Sequence, residues 1–157
     1  IVEPMTDARP DNENAFLSRD LNGVGTHCTD PAIAHCVGAA RSKDSGSHWD
    51  ATSDKDVGAL PDPGCKNTVA SVGISDTFTG SNLLVHAGSH STTARTNVSA
   101  IFSSDGGSTW DAHNSVMVWP APKVGGYVAV QAVGTTMVGV VFENRTCSIA
   151  IGVMQVP

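Results

Sequence analysis

Along this chain the apolar residues alternate with polar ones far more often than they recur at helical spacing. In "TNVSAIFSS" (96–104), Val98, Ala100 and Phe102 alternate with Asn97, Ser99 and Ser103, the period of a half-buried strand. "YVAVQAV" (127–133), "TMVGVVFE" (136–143) and "CSIAIGVMQV" (147–156) follow, separated by "GT" and "NRT". Breaks that short suit hairpin turns and predict a three-stranded meander. "NTVASVGI" (67–74) and "SNLLVHAG" (81–88) predict an earlier strand pair. The N-terminal stretch "AFLSRDLNGVGTHCTDPAIAHCVGAARSKD" (15–44) reads as two or three short strands, with Asn22-Gly23 as one turn. Gly or Pro interrupts most windows that would otherwise hold a helix, so the expected class is all-β.

Two segments repeat one another. "RSKDSGSHWD" (41–50) and "FSSDGGSTWD" (102–111) share the pattern Ser-x-Asp-x-Gly-x-x-Trp, as expected of one supersecondary unit used more than once. In a turn, an Asp carboxylate accepts backbone N–H groups a few residues on, and a Ser hydroxyl adds another bond. A Gly two positions later takes a backbone conformation that other residues resist. The Trp then folds beneath the loop. Ser42, Asp44, Gly46 and Trp49, and again Ser103, Asp105, Gly107 and Trp110, therefore read as structural staples, with no substrate required.

Composition narrows the setting. The chain of 157 residues has 16 Gly and only 15% charged residues, which suits a turn-rich β protein of one domain. Its net charge of −6 disfavours a nucleic-acid or anionic-membrane partner. No run reaches the ~20 apolar residues of a membrane-spanning helix. Cys28, Cys36, Cys65 and Cys147 match no zinc-ligand spacing, so no metal is expected. Three disulfide pairings are open to them, as is the state of buried free thiols. Asn97-Val98-Ser99 and Asn144-Arg145-Thr146 are glycosylation sequons that tilt the reading toward a secretory route. His86, His90 and His113 show no ligand spacing and read as loop or surface residues, and Trp119-Pro120 as packing beneath a sheet. The opening "IVEPMTDARPDNENAF" reads as the interior of a longer chain.

The octamers resemble the Asp boxes of sialidases and other proteins with bacterial-neuraminidase repeats, where the box lies on the turn between the third and fourth strands of a β-propeller blade. A second resemblance surrounds the later box. Sialidases carry Leu-Pro-Asp-Pro-x-Cys between two boxes, and this chain reads "ALPDPGCKN" at 59–67. The family's arginine before the next box corresponds to Arg95. Its tyrosine and strand-ending glutamate after the box correspond to Tyr127 and Glu143. Upstream, "DNENAFLSRDLNG" resembles the Asn-Glu start of a blade and brings in Glu13. Two departures accompany the match: Val128 follows the tyrosine where the family usually has Ser, and "HCT" (27–29) stands where a second arginine is normal. Neither Arg19 nor Arg41 is assigned that place.

The resemblance implies an all-β, sialidase-type β-propeller, with residues 1–157 forming about three of six four-stranded blades, the C-terminal half of the domain. The missing N-terminal blades would then be this chain's partner surface. It also implies retaining hydrolysis of terminal α-linked sialic acids on glycoproteins, glycolipids or oligosaccharides, without cofactor or metal. Sialic acid carries a carboxylate on its anomeric carbon, which repels an Asp or Glu nucleophile. A neutral phenol avoids that repulsion, and retaining sialidases use one. A phenol of ordinary pKa near 10 needs a neighbouring base. Carried over by resemblance, Tyr127 is the nucleophile, Glu13 its base, Arg95 a fork that clamps the substrate carboxylate, and Glu143 the holder of another clamping arginine. The boxes alone specify the blade and leave activity open. A non-catalytic propeller that binds glycan or protein, or a trans-sialidase, stands as the alternative.

Overall fold

The computed structural model describes residues 15–20, 36–42, 47–48, 56–63, 65–72, 83–104, 109–110, 113, 115–120, 125–134, 136–144 and 148–156. Among the described residues, alternation and turn chemistry produce ten strands in three antiparallel sheets and no α-helix. The first sheet holds β1 (Ala15–Asp20), β2 (Cys36–Ser42) and β3 (Asp56–Pro61). The second holds β4 (Thr68–Val72), β5 (Leu83–Ser89), β6 (Val98–Ser103) and β7 (Val116–Trp119). The third is the meander β8 (Gly125–Val133), β9 (Met137–Asn144) and β10 (Ile149–Gln155). Gly134, with φ of 68°, makes the tight turn between β8 and β9.

All six strands expected from residue 67 onward are present. β3 and β7 were not anticipated. β7 has four residues, too few for a period to register, and β3 runs directly into a Pro-rich segment.

The second sheet is buried on both faces. One face presents Ala70, Val72, Val85, Ala87, Val98, Ala100 and Phe102 to Val128, Val130, Val138, Val140 and Phe142 of the third sheet. Burial of each larger side chain contributes about 1.5–3 kcal/mol. Trp119 joins this layer with its ring 5.5 Å from that of Phe142. The opposite face presents Val69, Leu84 and Ile101, and Trp110 packs among them with Val37 and Leu60 of the first sheet. The three sheets thus stack face to face in chain order. The outer face of the third sheet remains open. Val133, Met137, Val141, Ile149, Ile151 and Val153 stand there exposed, the last three on β10.

His86 corrects a sequence expectation, since it lies in the middle of β5 and is fully buried. Its cross-strand neighbours are Val69 and Ile101, and its ring meets Trp110 edge-on at 5.9 Å. The adjacent sheet, absent from any local reading, is what encloses it. His86 Nδ1 lies 3.1 Å from His90 Nε2, so one ring donates and the other accepts. Burial, and secondarily the His90 ring, holds His86 well below the usual imidazole range. Burial likewise pushes His90 down to about 4.

Both rings are therefore neutral in the fold at pH values where an unfolded chain protonates them. Between about pH 6.5 and 4 the unfolded state binds more protons, so stability should fall as pH drops through that window and stay level above it. The expected slope is about 1.4 kcal/mol per pH unit for each ring that stays neutral. Urea unfolding across this range, beside a His86→Gln/His90→Gln double variant, checks the expectation. An equal slope in the variant would remove the pair as its source.

Candidate functional site

Five strand ends converge where the candidate residues lie. The Pro-rich segment enters β4, a loop joins β5 to β6, β8 begins there, and β9 finishes there. Before β4, Cys65 and Asn67 gather around a buried carboxylate. Asp62 Oδ1 accepts the backbone N–H of Cys65 at 2.8 Å, and Oδ2 accepts Nδ2 of Asn67 at 2.7 Å. A short-range Asp-to-backbone bond of this kind is the turn chemistry that Asp favours.

The β5–β6 loop carries Arg95 and is braced internally. The backbone N–H of His90 donates to the Asn97 carbonyl at 3.1 Å. The Ser91 hydroxyl accepts N–H groups from Thr93 and Ala94, both at 3.3 Å. Asn97 itself adopts φ of 57°, the left-handed conformation that Asn tolerates better than most residues.

β8 starts with a register shift between Gly125 and Val128 relative to β9. Such a bulge re-aims the side chains within it, and Tyr127 is one of these. Its ring is half exposed, at 49%, and the Arg95 guanidinium lies over it, 5.3 Å from the ring centroid. A cation over an aromatic face is attracted by the ring quadrupole. The two backbones are joined as well, since the N–H of Gly125 donates to the Arg95 carbonyl at 2.7 Å. Glu143, exposed near the end of β9, leans across Gly126, where an added Cβ would stand 2.7 Å from Glu143 Cβ.

Arg95, Tyr127 and Glu143 thus occupy one rim. Glu13 lies outside the described residues, as do Asp44, Gly46, Trp49, Asp105 and Gly107. Ser42 ends β2, and Ser103 ends β6 with its side chain buried. Trp110 is the packed indole between the first two sheets. Of the sequon residues, Asn97 sits two positions beyond Arg95, and Ser99 is buried with its hydroxyl donating to the Asn97 carbonyl at 3.0 Å. Asn144 Oδ1 accepts the Ser148 hydroxyl at 2.7 Å at the β9–β10 connection.

The Pro-Asp-Pro-Gly-Cys segment carries site residues that its local sequence does not announce. Cys65 is a buried free thiol whose Sγ donates to the Gly126 carbonyl at 3.4 Å. Burial pushes this thiol up, against the pull of the Arg95 guanidinium. It stays an S–H donor at neutral pH and is a poor nucleophile. An Asp three residues before a Cys was the available signal. No group of three or more His, Cys, Asp or Glu capable of holding a metal occurs among the described residues.

No family model matches the chain, and no curated protein matches it. Solved structures do. A Hadza microbial sialidase superposes with a TM-score of 0.69 at 20% identity over 92% of this chain. NanB sialidase from Streptococcus pneumoniae, both as a mutant and in complex with 2-[(3-chlorobenzyl)ammonio]ethanesulfonate, superposes at 0.56 with 15% identity over 83% of it. The chain spans 25% of the length of the first and 18% of the second. It has the antiparallel sheet architecture of sialidase β-propellers.

The close approach of Gly126 and Glu143 generates a prediction. Gly126→Ala should destabilise the β8–β9 pair by about 1–3 kcal/mol through overpacking. Glu143→Gly in the same chain should recover part of that loss, a coupling that a double-mutant cycle of thermal unfolding measures. Additive effects would mean that the two residues do not share this space.

Proposed function

We propose that the full protein is a retaining exo-α-sialidase and that residues 1–157 form the C-terminal half of its propeller. The observation that carries this reading is the Arg95 guanidinium above the half-exposed Tyr127 ring, with Glu143 on the same rim. A guanidinium fork placed beside a phenol can hold a substrate carboxylate while the phenol oxygen reaches the carbon bearing it. Tyr127 Oη attacks the anomeric carbon as the glycosidic C–O bond breaks. Glu13 takes the phenol proton, and the leaving oxygen takes a proton from an acid of the upstream blades. Water then attacks the tyrosyl-linked sugar and gives its proton to the same upstream group, now a base, while the leaving phenolate regains its proton from Glu13, and two displacements give net retention. Glu143 holds a further clamping arginine. Sialylated glycans are the substrate class, and the chemistry requires no cofactor.

The exposed aliphatic face of the third sheet supports the domain assignment. It continues the stacking that buries both faces of the second sheet, and the structural neighbours are several times longer than this chain. A further blade of the same polypeptide is the occupant that fits it.

Assay of the full-length protein on a fluorogenic sialoside tests the reading. Tyr127→Phe should lower kcat by about three orders of magnitude or more, as loss of a nucleophile does. Arg95→Lys keeps the charge and loses the fork, so kcat/KM should fall about 10- to 100-fold. Unchanged turnover in Tyr127→Phe would overturn the nucleophile assignment. Retained sialoside binding without turnover in the parent protein would favour a propeller that only binds glycan.

A further inference from the structure

We propose that Asp62, Cys65, Lys66 and Asn67 form the positioning device for Tyr127, gripping the backbone on both sides of that residue and so fixing where its phenol oxygen stands. This inference rests on the reading of Tyr127 as the reacting group and names residues that act through it.

The need for such a device arises from the bulge. Cross-strand pairing between β8 and β9 steps from Gly125↔Asn144 to Val128↔Phe142, so Gly126 and Tyr127 both face the single residue Glu143. The extra residue of a bulge disrupts the ladder locally, so the partner strand alone does not set its place. The device supplies bonds at both flanking residues. Cys65 Sγ donates to the Gly126 carbonyl at 3.4 Å, and the N–H of Val128 donates to the Lys66 carbonyl at 3.2 Å. Next along the chain, the N–H of Val130 donates to the Thr68 hydroxyl at 2.8 Å.

A grip is only as firm as what holds it. Asp62, Cys65 and Asn67 are all buried, and the two carboxylate oxygens of Asp62 take one bond each from Cys65 and Asn67. Buried polar groups bonded in this way have few alternatives, because breaking one bond strands a desolvated partner. Asp62 therefore fixes the device, and Cys65 and Lys66 pass that fixed position to the two residues beside Tyr127. None of these side chains is required to touch substrate.

The test uses full-length protein with Cys65→Ala, Cys65→Ser and Asp62→Asn. Two readouts are taken: kcat and KM on a fluorogenic sialoside, and the 19F resonance of Tyr127 in protein carrying 3-fluorotyrosine, assigned by its loss in Tyr127→Phe. Cys65→Ala and Asp62→Asn should lower kcat about 10- to 100-fold, the cost of a misplacement near 1 Å. KM should hold within about twofold because Arg95 remains, and the resonance should move. Cys65→Ser keeps a donor and should recover most of kcat and the parental resonance. Parental kcat and resonance in Cys65→Ala would overturn the proposal, as would a joint change in kcat and KM with the resonance unmoved. If Asp62→Asn fails to fold, the Cys65 pair decides. If the parent protein turns over no sialoside while the resonance still moves, the reaction assignment falls and the positioning role stands.

Discussion

A sheet that is apolar on both faces has to be covered twice, and the second sheet of this protein is such an element. Its strands β4, β5 and β6 send alternate side chains to opposite sides, and both sets are buried. Water can be excluded from both only if a sheet lies against each face, so the first and third sheets are brought to either side of it. That stacking aligns the strand ends of neighbouring sheets. Arg95, from the loop after β5, and Tyr127, from the start of β8, meet because the two sheets that bear them are pressed together.

The rim is built more from backbone bonds than from charge pairs. Arg95 offers its carbonyl to Gly125 and its guanidinium to the ring of Tyr127, so one residue serves both the framework and the surface. The bulge in β8 sets Gly126 and Tyr127 against one residue of β9, and Cys65 and Lys66, just before β4, hold Gly126 and Val128. Gly126 has little room for a side chain because Glu143 fills that space. The exposed residues thus stand on a support that is itself desolvated and hydrogen-bonded.

The histidine pair shows the same economy in the layer between the first and second sheets. His86, bonded to His90 and edge-on to Trp110, stands where an apolar side chain would otherwise pack. Burial holds both rings below the usual imidazole range, which links that layer to acidity.

The chain's own pattern determined most of the local architecture. Period-two alternation located β4, β5, β6, β8, β9 and β10, because side-chain period is a property of neighbouring residues and needs no distant partner. It missed β3 and β7, one merging into a proline-rich segment and the other too short to carry a period. Sequence likewise supplied the residue types at the rim through the resemblance around Arg95, Tyr127 and Glu143. Tertiary structure alone decided that His86 is buried, that Cys65 bonds to Gly126, and that Arg95 lies over Tyr127. Each of those facts joins segments far apart in the chain or in separate sheets. Such contacts are set by which faces must be hidden from water together, and no local run of residues records that.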